Sequence, residues 1–221
     1  MQWVPTSKSF GLNLLPVHSG VLHSLPGGKL ADTIDQLIDQ CSDTDELRLI
    51  SPVVEDDFLV SKIIRVRRRG AFVRLLTSII ENDNSIKTKG WDKSQNIQTH
   101  GEKIRELASE GVVIRSMGTT PHSKLIHSRE QGKAYFGSAN FTTNSLRGNA
   151  LESGFIYSGQ AFAALGGVFD LQWKNYVYSL RHRRGSIVLD EVRADKANLS
   201  SSHSFSQLWE EGHCYLSWPG K

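Results

Sequence analysis

Residues 121–140 read PHSKLIHSREQGKAYFGSAN, and the fold turns on how this stretch pairs with itself. Two apolar runs, Leu125-Ile126 and Ala134-Tyr135-Phe136, flank a polar Ser128–Gly132 segment. Gly132 is the natural residue for positive φ, so the pattern predicts a β-hairpin. Side chains alternate along a strand, which puts His122 and Lys124 on one face, roughly 6.6 Å apart. Ser138 and Asn140 share a face of the partner strand by the same rule. Pairing in register converges an imidazole, an ammonium, a hydroxyl and an amide. That set suits a phosphodiester. Histidine can attack phosphorus and then yield the phosphohistidine to water. Lysine, serine and asparagine can stabilise charge on the non-bridging oxygens, and the chemistry requires no metal. His127, five residues from His122, falls on the opposite face and outside the reaction.

H-x-K followed by G-S-x-N resembles the phospholipase D superfamily, and the likeness extends over about Leu47 to Tyr176. Chance often supplies a lone H-x-K; the two motifs across one hairpin are specific. The resemblance implies an α/β fold, a mixed β-sheet flanked by helices on both faces as an αβα sandwich. It implies a phosphodiesterase with His122, Lys124, Ser138 and Asn140 in the site and no cofactor. Glu152, in NALESGFIY, matches a glutamate of the family's next strand. The family pattern H-x-K-x4-D-x6-G-S-x-N is altered here by one extra residue and no aspartate. Counted forward the acidic position is Arg129; counted back it is Glu130. Either Glu130 replaces the aspartate or the carboxylate is lost. Family members pair two H-x-K motifs, one histidine as nucleophile and one as general acid. This chain has a single H-x-K, so the resemblance implies a homodimer whose hairpins face each other across a twofold axis. Glu152 then holds the imidazole tautomer, Lys124 and Asn140 bind phosphoryl oxygens, and Ser138 donates or orients.

The chain has 221 residues, a formal charge of +3, two cysteines and 38% hydrophobic residues. Mean hydropathy is −0.33 and pI is near 8.9. These values suit one soluble domain with appendages and favour a polyanionic partner only weakly. No apolar run is long enough to span a membrane. The first residues lack a basic segment followed by a continuous apolar core, so no signal peptide is expected. Cys41 and Cys214 lie far apart and read as free thiols in a reducing, cytoplasmic setting. His18 and His23 lack a third ligand, and His213-Cys214 is too sparse for zinc.

Outward from the hairpin, Leu30, Ile34, Leu37, Ile38 and Cys41 form a helical stripe over Lys29–Cys41. Leu47–Val54 reads as a core strand, and Glu55-Asp56-Asp57 opens a helix that stops at Gly70. A strand lies within Ala71–Ile80, so a parallel crossover is expected. Arg65, Arg67, Arg68 and Arg69 close the helix. Two readings stand: dipole compensation on a solvated face, or a nucleic-acid-binding surface. Glu81–Gln98 is expected to be a loop beside the site, where Lys89 and Trp91 are candidates for substrate contact; a tryptophan covering a core edge is the plainer reading. Thr99–Glu110 is read as a short helix with His100 at its surface, leading to a strand over Val112–Met117. Asn144, Ser145 and Asn149 are read as turn residues, with phosphate contact as the alternative. Leu151–Ser158 is a strand, and Gln160–Tyr178 is a helix with Phe162, Leu165, Phe169 and Trp173 turned to the core.

The expected organisation is a lead-in over 1–28, with a strand at Gly20–Leu25, a catalytic domain over 29–178, and a basic, serine-rich extension over 179–221. The expected activity is a metal-independent nuclease on DNA or RNA. The alternatives are a catalytically weakened nucleic-acid-binding subunit of a restriction or phage-defence complex, or a phosphatidyl hydrolase or transferase. The last needs an apolar groove that no stretch plainly supplies.

Overall fold

The computed structural model describes residues 22–23, 29–78, 93–116, 121–148, 150–176, 178–183 and 186–191. Its elements run β1 (Leu22–His23), α1 (Leu30–Asp39), β2 (Glu46–Ile50), α2 (Asp57–Arg69), β3 (Phe72–Leu76), α3 (Lys93–Ser109) and β4 (Val113–Ser116). There follow β5 (Lys124–Ser128), β6 (Lys133–Gly137), α4 (Thr143–Arg147), β7 (Ser153–Tyr157), α5 (Gly159–Lys174), β8 (Tyr178–Arg183) and β9 (Ser186–Glu191). The strands form one mixed sheet in the order β1-β7-β6-β5-β2-β3-β4-β8-β9. β2, β3 and β4 are parallel; β5 is antiparallel to β2, and β5-β6-β7 continue antiparallel.

Periodicity puts the helices on two faces. Leu30, Ile34 and Ile38 of α1, Leu59 and Ile63 of α2 and Leu107 of α3 pack with Leu47, Leu49, Val73, Leu75 and Ile126. On the other face Phe169 and Trp173 of α5 cover Ile50, Leu76, Leu125 and Ala134, with Phe162 and Leu165 beside them. The fold is thus the expected α/β sheet between helical layers. Local chemistry ends the elements. Asp56 caps α2 by accepting from Leu59 N at 2.7 Å. Gly70, at φ 126°, stops it, and Gly132, at φ 62°, turns the hairpin.

Two edges reach past the readings made from sequence. β8 and β9, inside the stretch read as an extension, add to the sheet beyond β4. α3 begins at Lys93 rather than near Thr99. His100 is therefore not a surface residue opening a helix. It is buried, with Nδ1 accepting from Val54 N at 3.0 Å and Nε2 donating to Ser78 O at 2.8 Å.

Candidate active site

The pairing register decides which ends meet. Ile50 lies opposite Leu125, Lys124 opposite Gly137, and Gly137 opposite Gly154. The start of β5, the end of β6 and the start of β7 therefore gather at the carboxyl ends of the parallel strands, where open α/β sheets place their sites. Gly137 and Gly154 are both required here. A Cβ on either would collide with the Tyr135 ring or hydroxyl, and one on Gly137 would also stand 2.5 Å from Ser153 O. The two glycines seat this buried tyrosine beneath the site.

Lys124 is buried and His122 exposed. Lys124 Nζ donates to His122 O at 2.7 Å and stands 3.4 Å from His122 Nδ1. Burial lowers the Lys124 pKa from its ordinary value, and the charge of Glu152 opposes that shift. The result is a fixed cation beside a reachable imidazole.

Ser138 and Asn140 do not share a strand face as the alternation predicted. β6 stops at Gly137, because the next residues find other partners. Ser138 N donates to Ser153 O at 2.9 Å, and Ser153 N donates to Ser138 Oγ at 3.1 Å. Phe141 bridges to Val54, its N–H donating to Ser51 Oγ at 3.1 Å. Ser138 Oγ donates to Glu152 Oε2, and Ser145 Oγ donates to Glu152 Oε1 at 3.0 Å. Asn140 is half-buried, and its Oδ1 is a buried acceptor with no hydrogen bond among the described residues. The structure thus joins His122 to Lys124 and Ser138 to Glu152, and the Lys124 and Glu152 charges interact. Held this way, the groups can present a nucleophile, a cation and amide and hydroxyl dipoles to an anionic centre.

Other candidates lie elsewhere. Glu130 is at the turn, the far end of the hairpin from Lys124. Its carboxylate accepts from Ser42 Oγ and, at 2.7 Å, from Thr44 Oγ1. The arginines of α2 follow its C-terminal turns, at the end of the sheet remote from His122. Arg67 Nε donates to Gly111 O at 3.1 Å, Arg68 pairs with Glu110, and Arg69 donates to Cys41 O at 2.8 Å. Arg65, also exposed, stands 3.9 Å from Asp39. This placement does not bring them to the His122 site. Lys89 and Trp91 lie outside the described residues, as do Asn149 and Cys214; Cys41 is a free thiol that burial pushes up to about 12.

Asp45 and Arg147 escaped the sequence reading, and Ser145, read there as a turn residue, takes another role. Asp45, fully buried, accepts from Ser128 Oγ and, at 2.9 Å, from Glu130 N. Ser145 holds Glu152, and Arg147 bonds Asp56 and Asp35. No local signal marks Asp45, which stands 83 residues before Ser128; the serine-glutamate spacing was visible but not the turn that closes it.

The sequence matches the family described as "Cardiolipin synthase, PLD-like domain" over residues 34–171. Curated proteins give no significant match. Among solved structures, the phospholipase D family member Nuc from Salmonella typhimurium is similar at TM-score 0.58 and 15% identity, over 74% of this chain and 97% of that one. NucT from Helicobacter pylori is similar at 0.51 and 12%, over 71% and 98%. The phosphatidylserine synthase of Haemophilus influenzae is similar at 0.52 and 16%, over 76% and 39%. The family match covers more than half of the chain and contains both halves of the hairpin motif, so the chain belongs to the phospholipase D superfamily as a phosphodiesterase-like domain.

Proposed function

We propose that the protein is a metal-independent nuclease that works through a phosphohistidine in a homodimeric site. The observation that carries this reading is the buried Lys124 ammonium, held at His122 beside the Ser138–Glu152 pair. A ring nitrogen of His122 attacks phosphorus while the bond to the leaving oxygen breaks. That oxygen takes a proton from His122 of the partner subunit. The partner imidazole, now neutral, removes a proton from water, whose oxygen displaces the first imidazole from phosphorus. Lys124 and the Asn140 amide N–H2 donate to the non-bridging oxygens. Ser138 orients Glu152, and Glu152 accepts the second imidazole N–H. The twofold arrangement follows from the single H-x-K of this chain.

Nucleic acid as substrate is supported by the basic balance of +3 and by a fold that spans nearly all of Nuc and NucT but 39% of the phosphatidylserine synthase. Lys89 and Trp91 remain candidate substrate contacts on sequence alone. The expected result is release of short oligonucleotides from DNA or RNA in excess chelator. His122→Ala should lower it by at least about a thousandfold with melting unchanged. No cleavage of single- or double-stranded DNA or RNA by a verified dimer sinks the nuclease reading, and choline release from phosphatidylcholine vesicles moves it to lipids.

A further inference from the structure

We infer that Ser145 is a positioning residue of this site, acting on the reaction through Glu152; the inference rests on the phosphodiesterase reading. A helical serine often returns its hydroxyl to its own backbone. Here the local needs of α4 are met by Thr142, whose Oγ1 accepts from Ser145 N at 3.3 Å and whose carbonyl accepts from Leu146 N at 2.9 Å. The Ser145 hydroxyl is left to cross to Glu152 Oε1 at 3.0 Å.

Glu152 is therefore gripped at both oxygens by two different arms. Oε2 is held by Ser138, which is exposed. Oε1 is held by Ser145, which is buried and belongs to a braced helix. Arg147 of that helix bonds Asp56 at 3.2 Å and Asp35 at 2.9 Å, and Thr143 Oγ1 donates to Asp56 at 3.1 Å. A carboxylate held at one oxygen can swing about its terminal torsion, which is soft. Held at both, it keeps one orientation relative to Lys124, whose charge it meets. The rigid arm is Ser145, so it sets the orientation of the carboxylate that, on the proposed mechanism, accepts the imidazole N–H.

The plain alternative is that Ser145 only satisfies a buried hydroxyl, and coupling to Glu152 separates the two. The probe is bis(p-nitrophenyl) phosphate, whose good leaving group keeps weak variants measurable, with the full chain. Ser145→Ala should lower kcat about 10- to 100-fold with KM within about threefold, since misplacement of a site group costs on that scale. In a Glu152→Ala background the same substitution should change kcat less than about twofold, because the interaction is already gone. Ser145→Thr should recover activity to within about fivefold of wild type and the isosteric Ser145→Val should not. That pair decides the matter even if Ser145→Ala fails to fold. Equal losses in both backgrounds, or wild-type kcat in Ser145→Val, overturn the role of Ser145 and leave the phosphodiesterase reading intact. Absence of wild-type turnover on both this ester and oligonucleotides sinks both.

Discussion

His122 and His127 stand five residues apart and meet opposite environments. The His127 ring lies beneath α5, stacked on Phe162 with centroids 4.0 Å apart, and a Cβ on Gly166 would come 2.9 Å from its Nε2. Burial first, and then the Arg48 charge, push its pKa from 6.5 down to about 4; Asp170 pulls the other way. The folded ring thus stays neutral where the unfolded one binds a proton. Stability should be full above pH 6.5 and fall as pH drops from 6.5 to 4, by up to about 3 kcal/mol from this group. Urea unfolding from pH 4 to 7.5 checks it: His127→Gln should flatten that slope and leave kcat at pH 7.5 within about twofold. An unchanged slope would assign the acid sensitivity elsewhere.

Asp45 and Glu130 make a second contrast at the same scale. Both carboxylates bind near the hairpin turn, but Asp45 is fully buried and Glu130 exposed. Truncating a buried acceptor strands its donors, whereas an exposed one is replaced by water. Asp45→Ala should cost about 2–4 kcal/mol in urea unfolding and Glu130→Ala less than about 1 kcal/mol. A larger loss for Glu130→Ala would restore it as the acidic anchor of the motif.

Among the elements, α2 spans the distance between the site and the far end of the sheet. Its Asp56 cap faces the site loops, and its last turn carries Arg67, Arg68 and Arg69. Positive charge at a helix C-terminus offsets the dipole. Arg67 and Arg69 also satisfy backbone carbonyls of neighbouring loops and Arg68 pairs with Glu110, which accounts for these three arginines without a ligand. The clamp at the other end is Arg147, which joins α4 to the α2 cap and to α1 and lies over the Phe58 ring at 4.6 Å. Asp56 and Asp35 are buried, so Arg147→Ala takes the cation from both carboxylates. Such a loss costs about 3 kcal/mol, read by chemical denaturation. A cost under about 1 kcal/mol would mean that α4 is held by its apolar contacts alone.

For the whole molecule, the single H-x-K requires a partner if the reaction uses two imidazoles. Mixing wild type with His122→Ala under subunit exchange should lower activity as the square of the wild-type fraction, because each competent centre needs two intact copies. A linear fall, or full activity from a species sedimenting as a monomer, removes the dimeric mechanism. Among the described residues no helix is long and apolar enough to cross a membrane.

The hairpin, the helical stripe of α1, the cap and stop of α2 and the inward aromatics of α5 were legible because spacing and turn chemistry are local. His122 and Lys124 stand two residues apart, so their meeting is nearly a property of the chain itself. Other features depended on which strand ends adjoin. Asp45 meets Ser128 across 83 residues, and Arg147 meets Asp35 across 112. Strands β8 and β9 needed the free edge of β4, and Ser138 left its strand because Ser153 and Glu152 were there to receive it. Composition and short-range pattern thus specified the candidate site groups. Burial, and the need of each buried polar group for a partner, selected at full three-dimensional closure which of them touch.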